Sequence, residues 1–78
     1  MPAIPLSYVD IAADITARIE SGEYQPGAKL PSYTQIGDLY SVSFSTAARA
    51  VALLRDRGVV VGAPGRGVFV KEQNPGTS

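Results

Sequence analysis

Residues 30–58 read LPSYTQIGDLYSVSFSTAARAVALLRDRG, and the order of polar and apolar positions in this stretch decides the fold. Pro31 disfavours helix at the residue before it, so Leu30 is extended. Ser32 and Gln35 stand at the S-x-x-Q spacing of a capping box and open a helix predicted to bury Ile36, Leu39 and Tyr40. Ser41-Val42-Ser43 interrupts that helix after two turns. Ser43 then caps another, whose inner stripe is Ala47, Ala50, Val51 and Leu54 and which ends at Gly58. Two short helices joined by a tight turn, the second with its own cap, form a helix-turn-helix.

Downstream of Gly58 the periodicity changes. Val59-Val60-Val61 and Val68-Phe69-Val70 are β-branched or aromatic runs, which favour strand. Between them residues 62–67, GAPGRG, form a flexible hairpin loop with one positive charge at its tip. Upstream, Ser7 caps a helix with Asp10 in its first turn and Tyr8, Ile11, Ala12, Ile15 and Ile19 on one face; Gly22 closes it. Asp14 and Arg18 have the spacing of a weak surface pair. Pro26-Gly27 suits a tight turn, and Ala28-Lys29-Leu30 reads as a short strand. The expected architecture is α+β, three helices plus a small antiparallel β-hairpin. Residues 1–6 form an extended N-terminal arm, 7–71 the folded domain and 72–78 a flexible tail.

The 78 residues hold no cysteine, histidine or tryptophan. Disulfides, thiolate or imidazole metal sites, zinc enzymes and histidine-based triads are therefore excluded. No apolar run approaches the ~20 residues of a membrane span, and the N-terminus lacks a signal-peptide pattern, so a soluble cytoplasmic domain without membrane partners is expected. Seven basic residues balance seven acidic ones, but unevenly. Residues 1–40 carry five acids against Arg18 and Lys29, whereas residues 41–78 carry five bases against Asp56 and Glu72. Such polarity can orient a protein on a polyanion. Asp10 and Asp14 share a helix face with no proton partner in view and read as solvated surface, not as an enzyme's carboxylates. The glycines of 62–67 are followed by a strand, so they lack the helix N-terminus of a phosphate cradle. No cofactor is expected.

In a helix-turn-helix the second helix enters a major groove with its N-terminal residues nearest base edges and phosphates. Here these are Ser43, Phe44, Ser45 and Thr46, with Arg49 one turn on. The hairpin would be a wing, in which Gly65 and Gly67 let the backbone approach the sugar-phosphate edge while Arg66 reaches a narrow groove. Capping alone would also account for Ser43, and a tight turn alone for the glycines.

From Gly22 to Val70 the chain resembles the winged helix-turn-helix domain of the GntR family of bacterial transcriptional regulators. The likeness rests on Ile19, Gly22, Pro26-Gly27 and Leu30-Pro31-Ser32. It continues through Val42-Ser43, Thr46, Ala50, Leu54 and Gly58 to Gly65-Arg66-Gly67-Val68-Phe69-Val70. The resemblance implies a regulator, expected to be a repressor, that binds double-stranded DNA through a recognition helix at 43–57 and a wing at 62–67. It also implies Ser32 and the Thr34 position as contacts. Three departures stand out, since family members commonly carry arginine where this chain has Thr34, Phe44 and Ala48; Arg49 lies about 100° around the helix from the last of these. No counterpart of the family's C-terminal effector-binding and dimerisation domain is found in the 78 residues, so no small-molecule effector site is expected in them. A homodimer on DNA or a protein partner is left open. The alternatives are a protein-interaction module docking through Phe44 and the alanine-rich helix face, and an architectural or recombination-directionality DNA-binding protein.

Overall fold

The computed structural model describes residues 7–72, and its elements follow the order α1 (Tyr8–Glu20), α2 (Tyr33–Tyr40), α3 (Phe44–Asp56), β1 (Val60–Ala63) and β2 (Gly67–Val70). The proposed arm at 1–6 and all of the tail beyond Glu72 lie outside the described residues. All three helices begin at a serine. Ser7, Ser32 and Ser43 each accept a hydrogen bond from the backbone N–H three residues on, and Asp10 and Gln35 complete capping boxes on α1 and α2. Each cap serine thus satisfies one of its helix's orphan N-terminal donors locally.

The core is formed by Ile11, Ala12 and Ile15 of α1, Ile36 of α2, Ala47, Ala50, Val51 and Leu54 of α3, and Leu30, Val60 and Val70. Helix α3 is the central element, packed against α1, α2 and β1. Its alanines allow close approach, and its predicted inner stripe is buried in full. β1 and β2 pair antiparallel, Val60 opposite Val70 and Ala63 opposite Gly67.

Four details of the sequence reading need correction. Leu39 is 61% exposed, and the inner face of α2 is made instead by Ile36, Gly37 and the half-buried Tyr40. Leu39 lies about 60° around the helix from Ile36, on the side away from Gly37 and Tyr40. Tyr8 is 37% exposed, at the solvent edge of α1 rather than on its buried face. Residues 28–30 make no full strand. They run beside β2 through one bridge, Lys29 to Phe69, with Leu30 N donating to Val68 O and Val70 N to Ala28 O, each at 2.8 Å. Beyond Leu30 the chain leaves β2 for the Ser32 cap of α2. Finally, the hairpin loop is tighter than 62–67, since Gly62 and Ala63 belong to β1 and Gly67 to β2.

Candidate nucleic-acid interface

The turn between α2 and α3 sets the geometry of the candidate site. Ser41 adopts a left-handed conformation at φ 55°, and the N–H groups of Ser41 and Val42 both donate to Gly37 O. Gly37 is needed here, because a Cβ on it would lie 2.9 Å from Val42 O. The chain can therefore reverse within three residues and start α3 at Phe44.

At the start of α3, Ser43 Oγ accepts from Thr46 N at 3.2 Å and lies 3.1 Å from Thr46 Oγ1. The two hydroxyls thus support the cap and each other, and the N–H groups of Phe44 and Ser45 remain at the open helix end. Ser45 and Arg49 are exposed on the outward face, Thr46 and Ala48 are half-buried, and Ala52 and Arg55 continue that face toward the C-terminus. Phe44 is 59% exposed, and its ring packs edge to face on Tyr33 at the start of α2. Ser32 and Thr34, on either side of Tyr33, are exposed.

The wing turns through Ala63-Pro64-Gly65-Arg66, closed by Arg66 N donating to Ala63 O at 2.9 Å. Proline at the second position and Gly65 at φ 75° at the third give the arrangement of a type II turn. Gly65, Arg66 and Gly67 are all exposed. Between the wing and the start of α2 lies an open groove of about 480 Å³, whose lining includes Lys29, Ser32, Tyr33, Arg55, Gly62 and Gly65. Tyr33 borders this groove and also touches Phe44. It links the α2 N-terminus, the α3 N-terminus and the wing, and of the site residues expected from sequence Ser32, Gly65 and Gly67 line this groove while Phe44 adjoins it through Tyr33.

Lys29, Tyr33 and Arg55 were missed by the sequence reading. Tyr33 follows a cap serine and resembles any first-turn residue, while Lys29 and Arg55 are 26 residues apart and come to line one groove only in the folded chain. The surplus of bases after residue 40 was a signal for Arg55 alone.

Among the described residues both ion pairs belong to Arg18, which meets Asp14 at 2.9 Å and Glu23 at 2.6 Å on the α1 side. Tyr40 donates to Asp14 at 2.6 Å, tying α2 to α1. The Tyr40 hydrogen bond, and then Arg18, hold the Asp14 carboxyl below its ordinary range; burial and the bond to Asp14 push the Tyr40 hydroxyl up. Lys29, Arg49, Arg55 and Arg66 make no ion pair among the described residues and stay available for an external anion. No cluster of carboxylates there could hold a metal ion, and no helix is long and apolar enough to cross a membrane.

The model of the gntR family of bacterial regulatory proteins matches residues 7–70. The HTH-type transcriptional regulator YieP of Escherichia coli K12 is 38% identical over 69 residues, covering 88% of this chain and 30% of its own length. The chain spans less than a third of the curated relatives it matches. A GntR family transcriptional regulator from Listeria monocytogenes superposes with a TM-score of 0.81 at 29% identity, over 85% of this chain and 58% of that one. AraR(DBD), solved in complex with operator ORX1, gives a TM-score of 0.78 at 26% identity, over 90% and 92% of the two chains.

Proposed function

The chain belongs to the gntR family of bacterial regulatory proteins, and from that membership we propose that it is a DNA-binding transcriptional regulator, a repressor, acting on duplex DNA in the cytoplasm. The observation that carries this reading is the convergence on Tyr33 of the capped α3 N-terminus, the α2 N-terminus and the glycine-rich wing. In the proposed complex α3 enters the major groove. Phe44, Ser45, Thr46 and Arg49 face base edges, while Ser32, Ser43 and Thr34 donate to phosphate oxygens. Gly65, Arg66 and Gly67 place the wing on the adjacent groove. The operator-bound AraR(DBD) supports the choice of an operator as target.

With Thr34, Phe44 and Ala48 where arginines are common in the family, one domain reaches only ~3–4 phosphates. We infer that two copies share an operator, because a single copy would bind no tighter than roughly micromolar at physiological salt. Binding-site selection from random duplex DNA, followed by a salt titration, tests this. An enriched site and a log–log salt slope of about −3 per domain are expected. Recovery of no sequence, together with no mobility shift at low salt, refutes the assignment.

A further inference from the structure

We propose that Lys29 and Arg55 form a two-cation clamp that holds one phosphodiester of the DNA backbone in the groove between the wing and α2. The inference rests on the DNA-binding reading and adds residues to it. If α3 occupies a major groove and the wing the neighbouring minor groove, the sugar-phosphate strand dividing the two grooves must pass between these elements. The groove of about 480 Å³ lies beside that path, between Ser32 and Tyr33 at the start of α2 and Pro64 and Gly65 of the wing, with Arg55 of α3 in its lining. No carboxylate is among its lining residues.

Both cations are seated by glycines. A Cβ on Gly67 would fall 2.8 Å from Lys29 Cε, and one on Gly62 would fall 3.4 Å from the Arg55 guanidinium carbon. A side chain at Gly67 would force the end of Lys29 to shift, and one at Gly62 would begin in contact with the Arg55 guanidinium. Lys29 is further fixed by its backbone, which bridges to Phe69 between the two hydrogen bonds that tie residues 28 and 30 to β2. Neither cation has an acidic partner among the described residues. The Ser32 hydroxyl accepts from Gln35 N at 3.1 Å, which leaves its own proton to donate into the groove. Two unpaired cations and a hydroxyl donor suit one phosphate carrying one negative charge. This placement also supplies charge that the N-terminus of α3 lacks. Lysine and arginine at the base of the wing attract the backbone of any sequence, so the clamp adds affinity and register without selecting bases.

The test is anisotropy with the selected duplex and a scrambled duplex, across a salt titration, for the wild type and for Lys29→Gln, Arg55→Gln, their double variant and Arg57→Gln. Arg57 is exposed at the C-terminal cap of α3 and does not line this groove. Each clamp substitution should weaken both duplexes and lower the salt slope by up to about one unit, worth about eightfold at ~0.1 M salt, the counterion term of the one phosphate the clamp holds. The double variant should lose about one unit in all, because the two cations share one phosphate, with the base preference kept, and Arg57→Gln should match the wild type. Wild-type binding with slopes unchanged in the clamp variants overturns the clamp alone. A lower melting temperature with an unchanged slope assigns Arg55 to wing support and likewise overturns it. Failure of the wild type to bind either duplex removes the DNA reading and the clamp together.

Discussion

The rings of Tyr33 and Phe44 meet edge to face, their centroids 5.5 Å apart and their planes at 66°. Each residue is the first of its helix, so the contact joins the N-termini of α2 and α3 directly. The family's arginine position is thereby occupied by a ring held in one orientation by a neighbour. An unsupported side chain at an open helix end would sample several rotamers, and part of any binding energy would be lost in ordering it.

Phe44→Ala should relax base preference at one or two positions of the selected site, because a phenyl ring there can pack on a thymine methyl. It should leave the salt slope unchanged and cost about 0.5–1.5 kcal/mol of stability through loss of the aromatic pair. Phe44→Arg should raise general DNA affinity and steepen the slope by about one unit. If DNA binding ignores both changes while Phe44→Ala abolishes capture of a protein partner, the ring belongs to a protein-docking surface.

Arg66→Ala should weaken binding to all duplexes, most of all those with A·T-rich flanks if the side chain enters a minor groove. The melting temperature should stay within about 2–4 °C, since Arg66 is exposed at the wing and supports no core residue. Wild-type affinity in this variant would remove the wing tip from the interface.

Much of the fold was legible because its signals are local. Ser7, Ser32 and Ser43 announce the helix starts, and Ala47, Ala50, Val51 and Leu54 repeat at helical spacing and are all buried. Leu39 misled because helical spacing alone does not show where a stripe is centred, and the partner that centres it is a glycine with no side chain to count. The site was legible as far as single elements carry it, namely the α3 N-terminus and the wing. Lys29 beside Gly67 and Arg55 beside Gly62 depend on contacts across the fold that no local pattern encodes.

Leu54 is fully buried on the central helix. Leu54→Ala should cost ~2–5 kcal/mol, against a net stability of roughly 5 kcal/mol for a domain of this size. Urea unfolding should show the midpoint falling sharply or the native baseline disappearing. A cost below ~1 kcal/mol would mean that the cavity collapses or that the packing of α3 is misassigned.

The Tyr40–Asp14 hydrogen bond predicts a pH dependence. The carboxyl of Asp14 titrates below its unfolded value near 4. Its contribution to stability is therefore present above that pH and lost as the pH falls through the folded value. Tyr40→Phe removes the leading cause of the shift. It should cost no more than about 1 kcal/mol at neutral pH, since Asp14 is about half exposed. Denaturation of both proteins from pH 7 downward should show the gap between them narrowing below about pH 4. A gap that persists undiminished in acid would assign the effect of Tyr40 to packing rather than to the carboxylate.

Gly37→Ala sets helix propensity against packing. Alanine in place of glycine within a helix is favoured by about 1 kcal/mol. The added methyl, however, would sit 2.9 Å from Val42 O, a backbone atom fixed by the donation of Val42 N to Gly37 O at 2.9 Å. That oxygen cannot yield as the end of a flexible side chain could, so relief requires α2 and the start of α3 to move apart. Overpacking of this kind costs typically ~1–3 kcal/mol, which outweighs the propensity gain. The variant should be less stable than the wild type despite its better helix former. It should also bind the selected duplex more weakly than its loss of stability explains, because the displaced turn carries Ser43, Phe44 and Ser45 with it. Thermal unfolding together with anisotropy at a temperature where both proteins are folded decides the matter. A more stable Gly37→Ala protein with unchanged affinity would show that the turn has room to adjust and that Gly37 does not set the angle of α3.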